Sequence, residues 1–186
     1  TSGSLEIETA GQIRCARRVG NDILIWTDVD VHLMRYVGPP FVYGIERVAS
    51  GAGIVGPKAV TIAGNTAVWL SESGFWQYDG SIKPLPSDVG DYVYRNMNVS
   101  QSSKTYAVHN SEFGEVWWFY PSAASNEVDS YVSYNYREGH WNIGSLARTC
   151  GTGRGAFEKP LFVGADGYIY EHEVGYDYDG GTLYAE

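Results

Sequence analysis

Only two cysteines, Cys15 and Cys150, occur in the 186 residues, far apart in the chain. That excludes a disulfide framework and a cysteine-based zinc site, and predicts reduced structural thiols that could approach only if the two ends of the chain meet in a ring. The four histidines, His32, His109, His140 and His172, never fall at ligand spacing, and each lies beside an aromatic, strand-like run. They read as structural residues rather than metal ligands, and no metal or cofactor is expected. Also missing are a serine set between glycines at a nucleophile elbow and a cysteine beside a basic partner. No apolar run is long enough to span a bilayer and no basic start precedes an apolar core, so neither membrane contact nor a signal peptide is expected. Basic residues are few, 13 against 22 acidic, for a formal charge of −9. A field of that sign repels phosphates, so stable duplex DNA binding is not expected, unless Arg14, Arg17, Arg35, Arg47 and Arg95 assemble a local basic patch.

Strand formers and turn residues are abundant. The chain is 44% hydrophobic and 15% aromatic, with 23 glycines and seven prolines mostly at the boundaries of short apolar runs. Disorder is excluded, and the length suffices for one ordinary core. The centre of the pattern is Glu115-Val116-Trp117-Trp118-Phe119-Tyr120-Pro121, a short run without polar alternation that predicts a strand buried on both faces. Tyr131-Val132-Ser133-Tyr134-Asn135-Tyr136 alternates with period two and predicts a partner strand with one wetter face. With Thr105-Tyr106-Ala107-Val108 before them and Trp141-Asn142-Ile143-Gly144 after, they form a meander of about four strands.

The meander recurs. Val60-Thr61-Ile62, Gly64 to Leu70, Gly74 to Gly80 and Ser81-Ile82-Lys83 form one copy. Ile13, Ile23 to Trp26, Val31 to Met34 and Phe41 to Tyr43 form an earlier one. Leu161 to Gly164, Tyr168 to Glu171 and a weak strand near Thr182 to Tyr184 form a later one. Starts spaced roughly 40 to 50 residues apart match propeller blades, in which neighbouring blades cover both faces of each second strand. The reading is an all-β β-propeller or propeller-like fragment of about four antiparallel blades with one short helix. It occupies residues 1–186 as a single domain cut from a longer polypeptide. Trp26, Trp69, Trp117, Trp118, Phe119, Tyr134 and Trp141 are the predicted structural core. The helix is expected from Asp88 to about Asn98, capped by Ser87, because Val89, Tyr92, Val93 and Met97 share one face. Leu5 to Thr9 is expected to be a strand that completes the last sheet.

Other motifs are weaker. Residues 51–56, Gly-Ala-Gly-Ile-Val-Gly, look superficially like a phosphate loop, but a strand rather than a helix follows. Asp28-Val29-Asp30 and Asp177-Tyr178-Asp179 resemble fragments of calcium loops without the distal glutamate, and turns are preferred. Glu171 and Glu173 would share one face of a strand with His172 opposite, which defines no glycosidase pair. No catalytic residue is assigned.

The stretch Glu115 to Ser122, together with Tyr131 to Tyr136, Trp141 to Gly144, Gly64 to Leu70, Gly74 to Gly80 and Asp166 to Glu173, resembles tail hub or nozzle proteins of short-tailed bacteriophages and prophages, the packaged-DNA stabilisation type. The likeness covers most of residues 20–181 and rests on strand and turn signatures. It implies a propeller-like structural part of a multimeric tail tube in the virion, assembled in the bacterial host cytoplasm, through which DNA exits at ejection. Its implied partners are other tail and portal proteins and further copies of itself. The alternatives are a propeller-type carbohydrate-active enzyme and a sugar-binding module, the latter depending on how far Trp76, Trp141 and the fifteen tyrosines are exposed.

Overall fold

The structure is a computed structural model that describes residues 4, 6–155, 157–174, 177–178 and 181–182. From Ile13 onward the expected runs of strand formers pair with their neighbours in sequence, giving antiparallel meanders one after another. The first sheet is β1 (Ile13–Val19), β2 (Asp22–Thr27), β3 (Asp30–Gly38) and β4 (Val42–Ser50). The second is β5 (Val60–Ala63), β6 (Thr66–Ser71), β7 (Gly74–Tyr78) and β8 (Ile82–Leu85). The third is β9 (Tyr106–Asn110), β10 (Glu115–Pro121), β11 (Val128–Asn135) and β12 (His140–Ser145). A three-stranded sheet follows, β13 (Arg148–Thr152), β14 (Leu161–Gly164) and β15 (Ile169–Glu171), then a ribbon of β16 (Asp177–Tyr178) and β17 (Gly181–Thr182). The chain is therefore all-β, built from successive antiparallel sheets with very little helix.

The second strand of each four-stranded sheet is the buried one, as its lack of alternation predicts. Leu24 to Thr27, Ala67 to Ser71 and Trp118 to Pro121 are buried without interruption. Trp26, Trp69, Trp118 and Phe119 have no exposed surface. Trp26 meets Trp69 edge to face at 5.4 Å, and Phe75 lies 5.0 Å from Trp118 and 4.5 Å from Trp141, so the first three sheets share one core. A smaller core of Tyr106, Val108, Phe119, Val128 and Phe162 joins the third sheet to the fourth.

Residues 51–59, the glycine-rich stretch, tie the first three sheets together. The N–H groups of Gly51 and Gly53 donate to Val29 O, and that of Ile54 to Thr27 O. Val55 N–H donates to Leu70 O, and Ala59 O accepts from Leu70 N–H at 3.1 Å. Lys58 O accepts from Ala107 N–H at 2.9 Å, beside a parallel bridge between Lys58 and Tyr106. Two buried indoles complete the set: Trp69 Nε1 donates to Ala52 O at 2.8 Å and Trp118 Nε1 to Ala59 O at 3.1 Å. Glycine is needed for this approach. A Cβ on Gly53 would sit 2.2 Å from Asp28 O, and one on Gly56 would sit 3.0 Å from Ser102 O.

Several expectations are corrected. Trp117 is only half-buried, because on β10 it points with Phe119 toward the smaller core and sits at its edge, its Nε1 donating to Glu115 Oε2 at 2.8 Å. Tyr134 and Trp141 pack against the large core but keep part of their surface exposed. The helix, α1, runs Gly90–Asn96 with Val89 at its N-cap and no side-chain cap. Ser87 Oγ instead accepts from Val89 N–H at 3.3 Å, one turn too early to cap it. Val93 and Met97 are buried as predicted, whereas Tyr92 is exposed. A 3-10 helix, Val99–Lys104, lies between α1 and β9. Glu6 to Ala10 form no strand; Thr9 Oγ1 donates to Asp30 Oδ2 at 2.9 Å, which places this segment on the first sheet. The expected last strand is seen only as β17, and Leu183 and Tyr184 lie outside the described residues.

Three substitutions test this packing by denaturant unfolding. Trp118→Ala removes a fully buried indole and is expected to cost about 3–5 kcal/mol, whereas Trp117→Ala is expected to cost about 1–2 kcal/mol. Gly53→Ala adds one methyl group against a backbone oxygen and is expected to cost about 1–3 kcal/mol. Equal costs for the two tryptophans, or a neutral Gly53→Ala, would contradict the assignment.

Candidate functional site

The chemistry-bearing side chains that come closest together lie in a cleft between the third and fourth sheets. Period-two alternation puts Glu115, Trp117 and Phe119 on one face of β10, and the pairing register sets them opposite Asn110, Val108 and Tyr106 of β9. Phe162 of β14 closes the floor, 5.2 Å from Phe119 and 4.4 Å from His172. The chain leaving β15 then returns over the floor, its His172 N–H donating to Pro160 O at 2.9 Å.

Glu173 is held at the mouth. Asn110 Nδ2 donates to its Oε1 at 3.4 Å, and Lys159 Nζ donates to its backbone oxygen. Its φ of 62° is left-handed, a conformation that costs an ordinary side chain about 1 kcal/mol or more. Burial, then the carboxylates of Glu115 and Glu112, push the Glu173 carboxyl above its usual range, against the pull of Lys159. His172 moves the other way, down to about 4, through burial and the neighbouring Arg148 cation. Arg148 Nε donates to His172 Nε2 at 3.1 Å, and its guanidinium lies 4.5 Å from the centre of the Tyr170 ring. With its Nε2 lone pair occupied, the neutral imidazole is a structural acceptor and not a free base. The enclosed space is about 20 Å³, room for one water, so only the rim, with half-exposed Trp117, can meet a larger molecule.

The other residues singled out in the sequence lie apart. His32 is buried, and neither ring nitrogen has a hydrogen-bond partner among the described residues. Burial lowers its pKa, with Asp30 opposing and Arg47 assisting. His109 Nε2 is 3.1 Å from Tyr136 Oη, and His140 Nδ1 is 3.2 Å from Glu138. Asp28 and Asp30 build a turn: Asp28 accepts from Gln12 N–H at 2.8 Å and from Arg14 Nη2 at 3.1 Å, while Asp30 accepts from Thr9. The Gln12 amide, with Arg14, holds the Asp28 carboxyl below its usual range. The side chain of Asp177 and all of Asp179 lie outside the described residues. Since β15 ends at Glu171, Glu173 does not share a strand face with it. Cys15 and Cys150 are free thiols. Arg14 pairs with Asp28 and Arg35 with Asp22, so two of the five candidate arginines already have carboxylate partners.

Trp76 and Trp141 are half-buried and committed: their Nε1 groups donate to Ser73 Oγ and Pro86 O, each at 3.1 Å. The role of Asn110, Arg148 and Lys159 is absent from the sequence pattern, because it depends on two sheets meeting.

His172 predicts an acid-sensitive stability. A histidine whose pKa is 6.5 unfolded and about 4 folded binds its proton more readily in the unfolded chain, so stability is expected to fall as pH drops from about 6.5 to about 4 and to level off below. The raised Glu173 acts with opposite sign. The His172 share is expected at roughly 1–3 kcal/mol, and His172→Gln, which keeps an acceptor for Arg148, is expected to flatten that slope in denaturant melts taken across the range. An unchanged slope would assign the effect to other groups.

No family model matches the chain, and no curated protein does. Among solved structures it is similar to one described as a "putative 6-phosphogluconolactonase" from Bacteroides uniformis ATCC 8492, at 12% identity and a TM-score of 0.56, over 88% of this chain and 54% of that one. A plant lectin with two metal binding sites from Cicer arietinum matches over 93% of each chain at 12% identity, with a TM-score of 0.38 that carries no argument. The chain thus spans about half the length of the lactonase-named structure, and that likeness concerns the fold alone.

Proposed function

We propose that the chain is a propeller-like structural module of about four blades in the tail hub or nozzle of a bacteriophage or prophage, bound to other tail and portal proteins and to copies of itself. The observation that carries this reading is the arrangement of successive meanders around residues 51–59. The second strands of the three four-stranded sheets carry uninterrupted buried stretches, and the first strands β5 and β9 lie side by side through the Lys58–Tyr106 bridge. Tyr106 Oη donates to Arg148 O, which brings β13 alongside in turn. Such an arrangement suits a rigid wall, and the residues that carry the resemblance to tail hubs form its centre, β10 and β11. In this reading the module belongs to the virion tail and lines a route for DNA without gripping it, because 22 acidic residues outnumber 13 basic ones.

A second reading, as a sugar-binding or carbohydrate-active module, draws on one observation: Trp117 is half-exposed, oriented by Glu115 and next to Glu173 and Asn110. Stacking on an indole flanked by hydrogen-bonding groups suits a sugar ring. The lactonase name belongs to the distant neighbour and adds only fold-level analogy.

Electron microscopy of the parent particle with this domain labelled is expected to place the label in the tail; a label elsewhere, or no particle, would overturn the tail reading. In a mobility-shift titration no duplex binding is expected at moderate salt, and micromolar, steeply salt-dependent binding would replace the passive wall with a DNA clamp. A glycan panel is expected to give no retention. A glycan held by the wild type and lost in Trp117→Ala would favour the second reading.

A further inference from the structure

The first sheet carries a projection that neither the core nor the cleft uses. β2 pairs with β3 only from Val31 to Met34, whereas β3 and β4 continue together through Arg35–Gly44, Tyr36–Tyr43 and Gly38–Val42. Four residues of extended chain carry this two-stranded ribbon roughly 10–13 Å beyond its neighbours. From Tyr36 to Tyr43 the sequence is Tyr-Val-Gly-Pro-Pro-Phe-Val-Tyr, without a charge. Phe41 at the tip is 80% exposed, and Tyr36, Val37, Val42 and Tyr43 are also exposed. Tyr36 and Tyr43 are cross-strand partners, ring centres 5.9 Å apart, and Val37, the next residue of β3, faces the other way. Tyr43 N–H donates to Phe41 O at 2.7 Å across Val42, whose φ is 63°. A β-branched residue in the left-handed region is costly where glycine or asparagine would fit, yet an apolar side chain occupies this exposed turn.

We propose that this ribbon inserts end-on into the surface of a lipid bilayer. A ribbon that docks on a protein normally presents one apolar face and keeps the other polar. Here both faces and the tip are apolar, which suits a medium that surrounds them. The side chains are also layered along the ribbon in the order of a bilayer interface. Phe41 leads, Val37 and Val42 follow, the Tyr36–Tyr43 pair comes next with its hydroxyls, and Arg35 stands directly behind. Acyl chains, the carbonyl and glycerol layer, and anionic headgroups accept these groups in that sequence. Asp22 lies 3.6 Å from Arg35 and Glu46 is farther back, so the basic layer is only partly offset. The overall charge of −9 is unevenly distributed along the chain. Up to Lys58 six basic and six acidic residues balance, and the excess of acid lies in the later sheets. The inference goes beyond the tail-module reading and departs from the expectation of no membrane contact, which considered only segments long enough to span.

Flotation with phosphatidylcholine vesicles, with and without phosphatidylglycerol, tests it on the intact chain. The wild type is expected to float, more strongly with the anionic lipid, and Phe41→Asp to lower the bound fraction about tenfold or more at an unchanged melting temperature, since the side chain is exposed. Phe41→Trp is expected to add fluorescence that brominated acyl chains quench. Failure of the wild type to float, or equal flotation of Phe41→Asp, would overturn the proposal. So would wild-type oligomers that Phe41→Asp dissociates without any vesicle binding, which would make the ribbon a contact between proteins.

Discussion

The carbonyls and amides of residues 51–59 are shared among three sheets, and the packing of those sheets depends on that sharing. A buried peptide group without a partner is costly, so a connecting segment normally runs over the surface. This one passes through the interior because its polar groups are met from three sides. Thr27 and Val29 of the first sheet, Leu70 and Trp69 of the second, and Ala107 and Trp118 of the third all bond to it. Its small residues let these backbones close in; Ala52 and Ala59 have no exposed surface. The two tryptophans act twice, filling the core with their rings and holding the segment with their nitrogens.

The fold was readable where a pattern is local. Uninterrupted apolar runs marked β2, β6 and β10 as doubly covered strands, and turn residues marked the hairpins between them. Legibility failed where the outcome depends on what the strand meets. Nothing in Val116-Trp117-Trp118-Phe119 says that Trp117 sits at the edge of the smaller core while Trp118 lies deep inside the larger one. The strand after the glycines at 51, 53 and 56 excludes a phosphate loop, but the close approach of Gly53 to Asp28 and of Gly56 to Ser102 is visible only in the tertiary structure. The same holds for the cleft. Asn110, Arg148, Lys159 and Glu173 come from four separate stretches, and no spacing in the sequence links them. The exposed ribbon was partly visible, since Phe41 to Tyr43 was read as a strand, but its projection beyond β2 follows from the pairing register alone.

The fourth sheet is attached differently from the other three. Its link to the third is the small aromatic cluster around Phe119 and Phe162, supported by Arg148 between His172 and Tyr170. This junction is polar at its rim, carries a strained glutamate and contains groups with displaced ionisation, whereas the large core contains few ionisable side chains. The protein therefore combines a rigid body of three sheets with a junction that responds to pH. The charge divides elsewhere: it is balanced over the first 58 residues, which hold the first sheet, and acidic beyond.

The bond from Trp118 to Ala59 spans 59 residues, and it has a consequence for how the chain is made. During synthesis the first two sheets emerge before the strand that supplies this indole, so Lys58 O waits for Ala107 N–H, and Ala59 O, already bonded to Leu70 N–H, waits for its second donor. Contacts this distant in sequence raise the entropy of closure and slow the search for the native state. Protection from hydrogen exchange over the first three sheets is therefore expected to appear as one late, cooperative unit rather than sheet by sheet.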